Sequence, residues 1–194
     1  MIERLERQDE FDVTVIGAGA TGLGVALDAA SRGMSVLIVD GQDWASGHAS
    51  RSGKHIGSDI RRLVCPAGWA RVREELYERR LLLQNAPSLV RAQNYVIPCR
   101  SKLGMALRAS SLALYSLFSS GGCGTRPVSM QGRVGALGML PGIERKGLAG
   151  AVTFTDAVCD DAGLALSLLK GAVEYGAVAL NNMRMIDAEA DGRR

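Results

Sequence analysis

FDVTVIGAGATGLGVALDAASRGMSVLIVD, residues Phe11 to Asp40, decides the fold. Its opening, Phe11 to Ile16, is β-branched through VTVI and stops at a glycine, the pattern of a buried strand. Ala20 to Arg32 then predicts a helix, with Gly33 at the position where helices end in the left-handed conformation. SVLIVD is a second buried strand. Strand, glycine turn, helix and strand make a βαβ unit with parallel strands and a right-handed crossover. Gly17, Gly19 and Gly22 stand in G-x-G-x-x-G spacing at the turn. The first allows the tight turn, the second lets a pyrophosphate approach the backbone, and the third lets helix and strand pack closely. The helix N-terminus presents unbonded N–H groups and a positive dipole end to a diphosphate. Asp40 ends the second strand about twenty residues later, placed to accept hydrogen bonds from an adenosine ribose. The stretch is a dinucleotide-binding signature, and it does not separate NAD from FAD, because both carry an adenosine diphosphate half.

Around this unit the chain has 194 residues, room for one domain or for a first domain and part of a second. Hydrophobic residues at 47% and charged residues at 22% place it among globular proteins. A net charge of +3 with scattered arginines excludes a nucleic-acid partner and points to a small molecule. Cys65, Cys99, Cys123 and Cys159 form no C-x-x-C pair, and with only His48 and His55 beside them no metal site is expected. The charged opening MIERLERQDEFD lacks the apolar core of a secretory signal, so a cytoplasmic location with free thiols is expected. LGMALRASSLALYSLF, Leu103 to Phe118, is interrupted by Arg108 and too short to span a bilayer.

Beyond Asp40, residues Trp44 to Leu63 lack a period and read as an extended loop. Pro66 opens a helix in which Trp69, Val72, Leu76 and Leu83 recur until Asn85 and Pro87. Glu75 and Arg79 would sit one turn apart on its exposed face, its arginines solvated. YVIP, Tyr95 to Pro98, predicts a short strand and Leu103 to Phe118 a helix, followed by a break at SSGGCGTRP. Val152 and Phe154 alternate with threonines as in a strand. Asp160 or Asp161 caps a helix reaching Tyr175, closed by Gly176. AVAL and MRMI flank Asn181 and Asn182 as a strand pair, and Asp191 with Gly192 starts a turn.

KHIGSDIRRL, Lys54 to Leu63, places a histidine, an aspartate and two arginines shortly after the nucleotide signature. Together with FDVTVIGAGATGLGVALDAASRGMSVLIVD, WASGHASRSGKHIGSDIRRL, RRLLLQNAPSLVR and DDAGLALSLLKGAVEYGAVALNNMRM, it resembles the FAD-dependent glycerol-3-phosphate dehydrogenases, whose fold is of the glycine and D-amino-acid oxidase type. The resemblance runs from Phe11 to about Ile186. It implies an α/β fold: a Rossmann-like FAD-binding domain over residues 1–90, the start of a substrate domain over 91–156, and a return to the FAD-binding domain over 157–194, truncated relative to the family. FAD is the implied cofactor, held by Gly17, Gly19, Gly22 and Asp40 and by Ser46, Gly47, Ser50, Arg51, Ser52 and Lys54, which match the family's S-G-x-x-S-R-S-x-K stretch. Small residues there leave N–H groups for phosphate, and cations offset its charge.

The resemblance further implies glycerol 3-phosphate as substrate and a quinone acceptor, with peripheral contact at the inner face of the membrane. It leaves self-association into a homo-oligomer open. Where the family reads K-L-I-H-G-G-x-R-Y-L, this chain has Gly57, Ser58 and Asp59 for His-Gly-Gly and Arg62 for Tyr. Only Arg61 carries over as a substrate or phosphate contact. Asp59 would bring a negative charge where an anion is expected. Gly163 replaces the arginine of the family's D-D-A-R. The base that takes the substrate's hydroxyl proton matches no residue here, and His55 reads as an exposed loop histidine. Two rival readings are a truncated or diverged remnant with weak or no FAD binding and no catalysis, and an FAD-dependent amine or amino-acid oxidase relative.

Overall fold

The computed structural model of the chain describes residues 10–57, 59–118 and 127–189. In chain order the elements are β1 (Val13–Ile16), α1 (Ala20–Ser31), β2 (Val36–Val39), the single turn α2 (His48–Arg51), β3 (His55–Ile56), 3-10 turns at Ile60–Val64 and Pro66–Gly68, α3 (Trp69–Asn85), β4 (Val90–Cys99), α4 (Lys102–Phe118), β5 (Ser129–Gly132), α5 (Arg133–Met139), β6 (Gly150–Cys159), α6 (Asp161–Glu174) and β7 (Val178–Leu180). They form two compact units. Unit 1 comprises Met1–Gly53 with Asp160–Arg194, and unit 2 comprises Lys54–Cys159.

Unit 1 is the α/β part. Its sheet runs β1-β2-β7, all parallel, with Val13 opposite Val36 and Leu37 opposite Val178. Asp12 accepts the N–H and the hydroxyl of Ser35, each at 2.7 Å, which ties the foot of β1 to β2. Those bonds, led by the backbone N–H, hold the Asp12 carboxyl below its ordinary range. Leu23, Ala26 and Ala30 of α1 join Val36 and Ile38 of β2 and Ala165 and Ala172 of α6 in one core. Small residues let the helices close up: a Cβ at Gly171 would stand 3.1 Å from Leu27 Cδ1. α1 ends at Arg32, and Gly33 turns the chain with φ +86°, as predicted.

Unit 2 is built on two ten-residue strands, β4 and β6, paired antiparallel from Val90 opposite Cys159 to Cys99 opposite Gly150. β3 and β5 share the other edge of β6, at opposite ends. Strand alternation turns Val152, Phe154 and Asp156, with Tyr95 and Ile97, to one face, and Thr153 and Thr155, with Asn94 and Val96, to the other. α3 and α4 bring Val72, Leu76, Leu112 and Tyr115 into the interior on the Asp156 side.

Several expectations are corrected here. The stretch from Trp44 to Leu63 contains α2, β3 and a 3-10 turn. β4 extends well beyond YVIP, because Arg91, Gln93 and Asn94 are polar positions of a strand whose pairing is set by β6. β5 and α5 carried no recognised period. The residues MRMI, 183–186, form no strand, since Met183 N–H bonds the carbonyl of Asp40 at 2.9 Å as the chain leaves β7. Asp160 occupies the N-cap position of α6 without a side-chain capping bond. Arg79 is buried, and Glu75 bonds Arg62 and Arg71 instead. The first division of the chain falls after Gly53, not near residue 90, because β3 pairs with β6 and α3 lies in the interior of unit 2. Most of SSGGCGTRP and the Asp191–Gly192 turn fall outside the described residues.

Candidate functional site

The turn after β1 has the geometry its glycines imply. Gly17 has φ +101°, which L side chains rarely adopt, and a Cβ at Gly22 would stand 2.1 Å from the Gly17 carbonyl oxygen and 3.1 Å from Val15 Cγ1. α1 starts from Gly19 in extended conformation without a side-chain cap. The helix's own ladder begins with Leu23 N–H to Gly19 C=O at 2.9 Å, so the N–H groups of Ala20, Thr21 and Gly22 have no intrahelical acceptor. Ala20 and Thr21 border a cleft of about 420 Å³ lined also by Ala18, Gly19, Asp40, Ser46 and Gly47, with His48, Ala49, Asp161 and Leu164 beside them.

Asp40 lies on that cleft and is already bonded. Its Oδ2 accepts Ala18 N–H at 2.6 Å and its Oδ1 accepts Gln42 N–H at 2.8 Å. A carboxylate offers about four acceptor positions, so each oxygen retains one toward the cleft. Ser46 and Gly47 line the cleft directly. The Ser50 hydroxyl donates to the carbonyls of Ser46 and Gly47 at 2.8 and 2.9 Å, closing the turn of α2. The Ser52 hydroxyl donates to Asp161 Oδ2, at the first turn of α6. Arg51 is exposed and does not line the cleft, and Lys54 belongs to unit 2, where its carbonyl accepts Cys159 N–H at 2.8 Å. No lysine or arginine among the described residues lines the cleft, so main-chain dipoles, with His48 and the Thr21 and Ser46 hydroxyls, are what an anion would meet.

KHIGSDIRRL is anchored inside unit 2. Asp156, buried on β6, pairs with Arg79 of α3, accepts the Tyr115 hydroxyl of α4 at 3.1 Å and meets His55 Nε2 at 3.1 Å. His55 is therefore a strand residue tied to a buried carboxylate, with its ring edge-on to Tyr95 at 5.3 Å. Burial, then the Asp156 charge, raises the Tyr95 phenol above its ordinary range. Gly57 follows closely, and a Cβ there would stand 2.6 Å from Asp156 Oδ2 and from His55 Cε1. Val72, Leu76, Arg79 and Leu83 lie on one helical stripe, a spacing that could have revealed Arg79 as inward-facing. Asp156, between Thr155 and Ala157, offered no such signal.

Arg61 stands apart from that knot. Asp59 caps the 3-10 turn through Arg61 N–H at 3.0 Å and also takes the Arg61 guanidinium, Nε at 3.0 Å to Oδ1 and Nη2 at 3.1 Å to Oδ2. The Arg61 bonds hold the Asp59 carboxyl below its ordinary range.

The model of the family described as FAD dependent oxidoreductase matches residues 12–194. The chain belongs to that family. It is 37% identical over 189 residues to a glycerol-3-phosphate dehydrogenase of Mycobacterium leprae, covering 96% of this chain and 32% of that protein. It is 32% identical over 188 residues to the human mitochondrial glycerol-3-phosphate dehydrogenase, covering 94% and 26%. The chain thus spans about a third or less of the length of these curated relatives. Among solved structures, the glycerol-3-phosphate dehydrogenase of Bacillus halodurans complexed with FAD superposes with a TM-score of 0.69 at 27% identity, over 95% of this chain and 29% of that one. A glycine oxidase of Bacillus cereus shares the fold, with a TM-score of 0.63 at 16% identity over 94% and 49%.

The unit 1 cleft fits the family's cofactor on its own geometry. A Cβ at Gly19 would meet nothing within 4 Å, which leaves the approach to the N–H groups of α1 open. Asp40, a carboxylate on the cleft with spare acceptor positions, suits hydroxyls better than phosphate, as a ribose beside a diphosphate requires.

Proposed function

We propose that this chain carries the adenosine-diphosphate-binding part of an FAD-dependent oxidoreductase that acts on glycerol 3-phosphate. The observation that carries the reading is the conjunction of Gly17 at φ +101°, the uncapped N-terminus of α1 and the Asp40 carboxylate around one cleft. In this reading the N–H groups of Ala20 to Gly22 hold the diphosphate, and Asp40 accepts the ribose hydroxyls while Ala18 and Gln42 fix its rotamer. Ser46 and Gly47 border the same anion, and Ser50 keeps their turn closed. Arg51, Ser52 and Lys54 complete the set as sequence matches to the family's motif. Bound FAD supplies the acceptor for the hydride of the alcohol carbon. Arg61 receives the substrate phosphate by exchanging it for Asp59, since a guanidinium meets either anion with the same two-pronged geometry. The reading extends to a quinone acceptor and peripheral membrane contact through the exposed Leu103, Leu107 and Leu117 of α4. No helix of the described residues is long and apolar enough to cross a membrane.

The Asp59–Arg61 pair also favours a second reading, a diverged chain that retains the nucleotide cleft without oxidising glycerol 3-phosphate. The visible spectrum of the purified chain, with released cofactor identified after denaturation, tests the first part. A flavin spectrum yielding FAD supports it, and a colourless chain that takes up no added FAD rejects it. Bleaching of bound flavin by glycerol 3-phosphate then separates the two readings.

A further inference from the structure

Unit 2 contains a cavity of about 410 Å³ between the Asp156 face of the sheet and α4. Ile97, Leu107, Leu112 and Phe154 give it apolar walls, and Asp156 with His55 and Tyr115 forms one end. The Asp156 charge is answered on the spot by Arg79, with His55 and Tyr115 completing its shell. Arg108 is different. It lies on the exposed side of α4 and lines the same cavity. Its Nη1 donates to Pro98 C=O at 3.2 Å and to Cys99 Sγ at 3.7 Å, both neutral acceptors, and it forms no ion pair with a carboxylate of the described residues. An apolar sleeve with a neutralised interior therefore carries one uncompensated positive charge, on a side chain with five N–H donors.

We propose that this cavity binds a small amphipathic monoanion, an aliphatic monocarboxylate, with its chain between Ile97, Leu107, Leu112 and Phe154 and its carboxylate on Arg108. The charge balance selects a single negative charge, and the walls that meet the chain are apolar except for the Ser111 hydroxyl, which is already bonded to Leu107 C=O. At roughly 30 Å³ per water-sized group the volume admits on the order of ten non-hydrogen atoms, and it lies within the range of ordinary small-ligand sites. None of the residues lining the nucleotide cleft takes part, so this site stands or falls independently of cofactor binding.

The test is calorimetric titration of the full chain with sodium octanoate at moderate salt. Saturable binding at one site per chain is expected, weakened about tenfold or more by Arg108→Gln, which removes a charge-assisted hydrogen bond. Octanamide, equal in length but uncharged, should lose as much. Ser111→Trp, on an exposed turn of α4 that lines the cavity, should fill it and abolish binding while the thermal midpoint is retained. Absence of saturable binding, equal affinity in Arg108→Gln, or undiminished binding in Ser111→Trp would each overturn the proposal.

Discussion

Around the cleft of unit 1 the polar work falls to main-chain N–H groups, ordered by three glycines and by a carboxylate that itself accepts two backbone bonds. In unit 2 it falls to side chains: a buried aspartate and arginine, a tyrosine and a histidine contributed by α3, α4, β3 and β6. The first arrangement depends chiefly on the absence of atoms, so it fails when a methyl group is added. The second depends on matched charges, so it fails when one member is removed. The placement of the two tryptophans lets the units be followed separately, since Trp44 packs against the unit 1 core and Trp69 donates to Leu63 C=O in unit 2 at 3.0 Å.

Asp156→Ala should have the largest effect. Removing one partner of a buried ion pair costs about 3–5 kcal/mol, read as a lower urea midpoint for Trp69 in a Trp44→Phe background. Trp44, in a Trp69→Phe background, should move far less, and equal shifts of both probes would erase the contrast between the units. Gly22→Ala comes next. A methyl group 2.1 Å from the Gly17 carbonyl oxygen forces β1 and α1 apart, at about 1–3 kcal/mol, now reported by Trp44. Its counterpart Gly57→Ala meets side-chain atoms of Asp156 and His55, which can give way, so about 1 kcal/mol is expected on the Trp69 probe.

Asp40→Asn sharpens the contrast from the other side. The amide keeps one acceptor oxygen, so ADP affinity, measured by calorimetry, should fall about tenfold with little change in unit 2. The smallest effect is acid sensitivity. Asp12 in unit 1 and Asp59 in unit 2 both have folded carboxyls below their ordinary range. Their contributions are whole above roughly pH 4 and fade as pH falls through the lowered folded values. Carboxyl NMR titration should find both ionising below an unfolded aspartate, and an ordinary value for Asp59 would mean that Arg61 is not held.

Unit 1 was legible in the sequence because its instructions are local. Gly17, Gly22, Gly33 and the VTVI and VLIV runs act on their immediate neighbours, and Phe11 to Asp40 folds much as its pattern implies. Unit 2 was harder because its instructions are shared across distance. Residues 91–94 are mostly polar and become strand only against β6, and Arg79 looks like a surface arginine until Asp156, 77 residues away, turns to meet it. The same holds for the candidate site. The glycines and Asp40 announced a cleft, whereas the engagement of Arg61 by Asp59 needed the 3-10 turn that brings them together.

One consequence of β6 concerns error rather than strength. Three strands take their alignment from it, and Asp156 is the buried carboxylate on its length. A slip of one residue would turn Asp156 to the opposite face and present Thr155 or Ala157 to the Arg79 guanidinium. Such a misaligned sheet would have to bury that cation without a carboxylate, a far heavier cost than any mismatch among valines and alanines. Asp156 therefore serves as a key that admits one alignment of the sheet and rejects its neighbours.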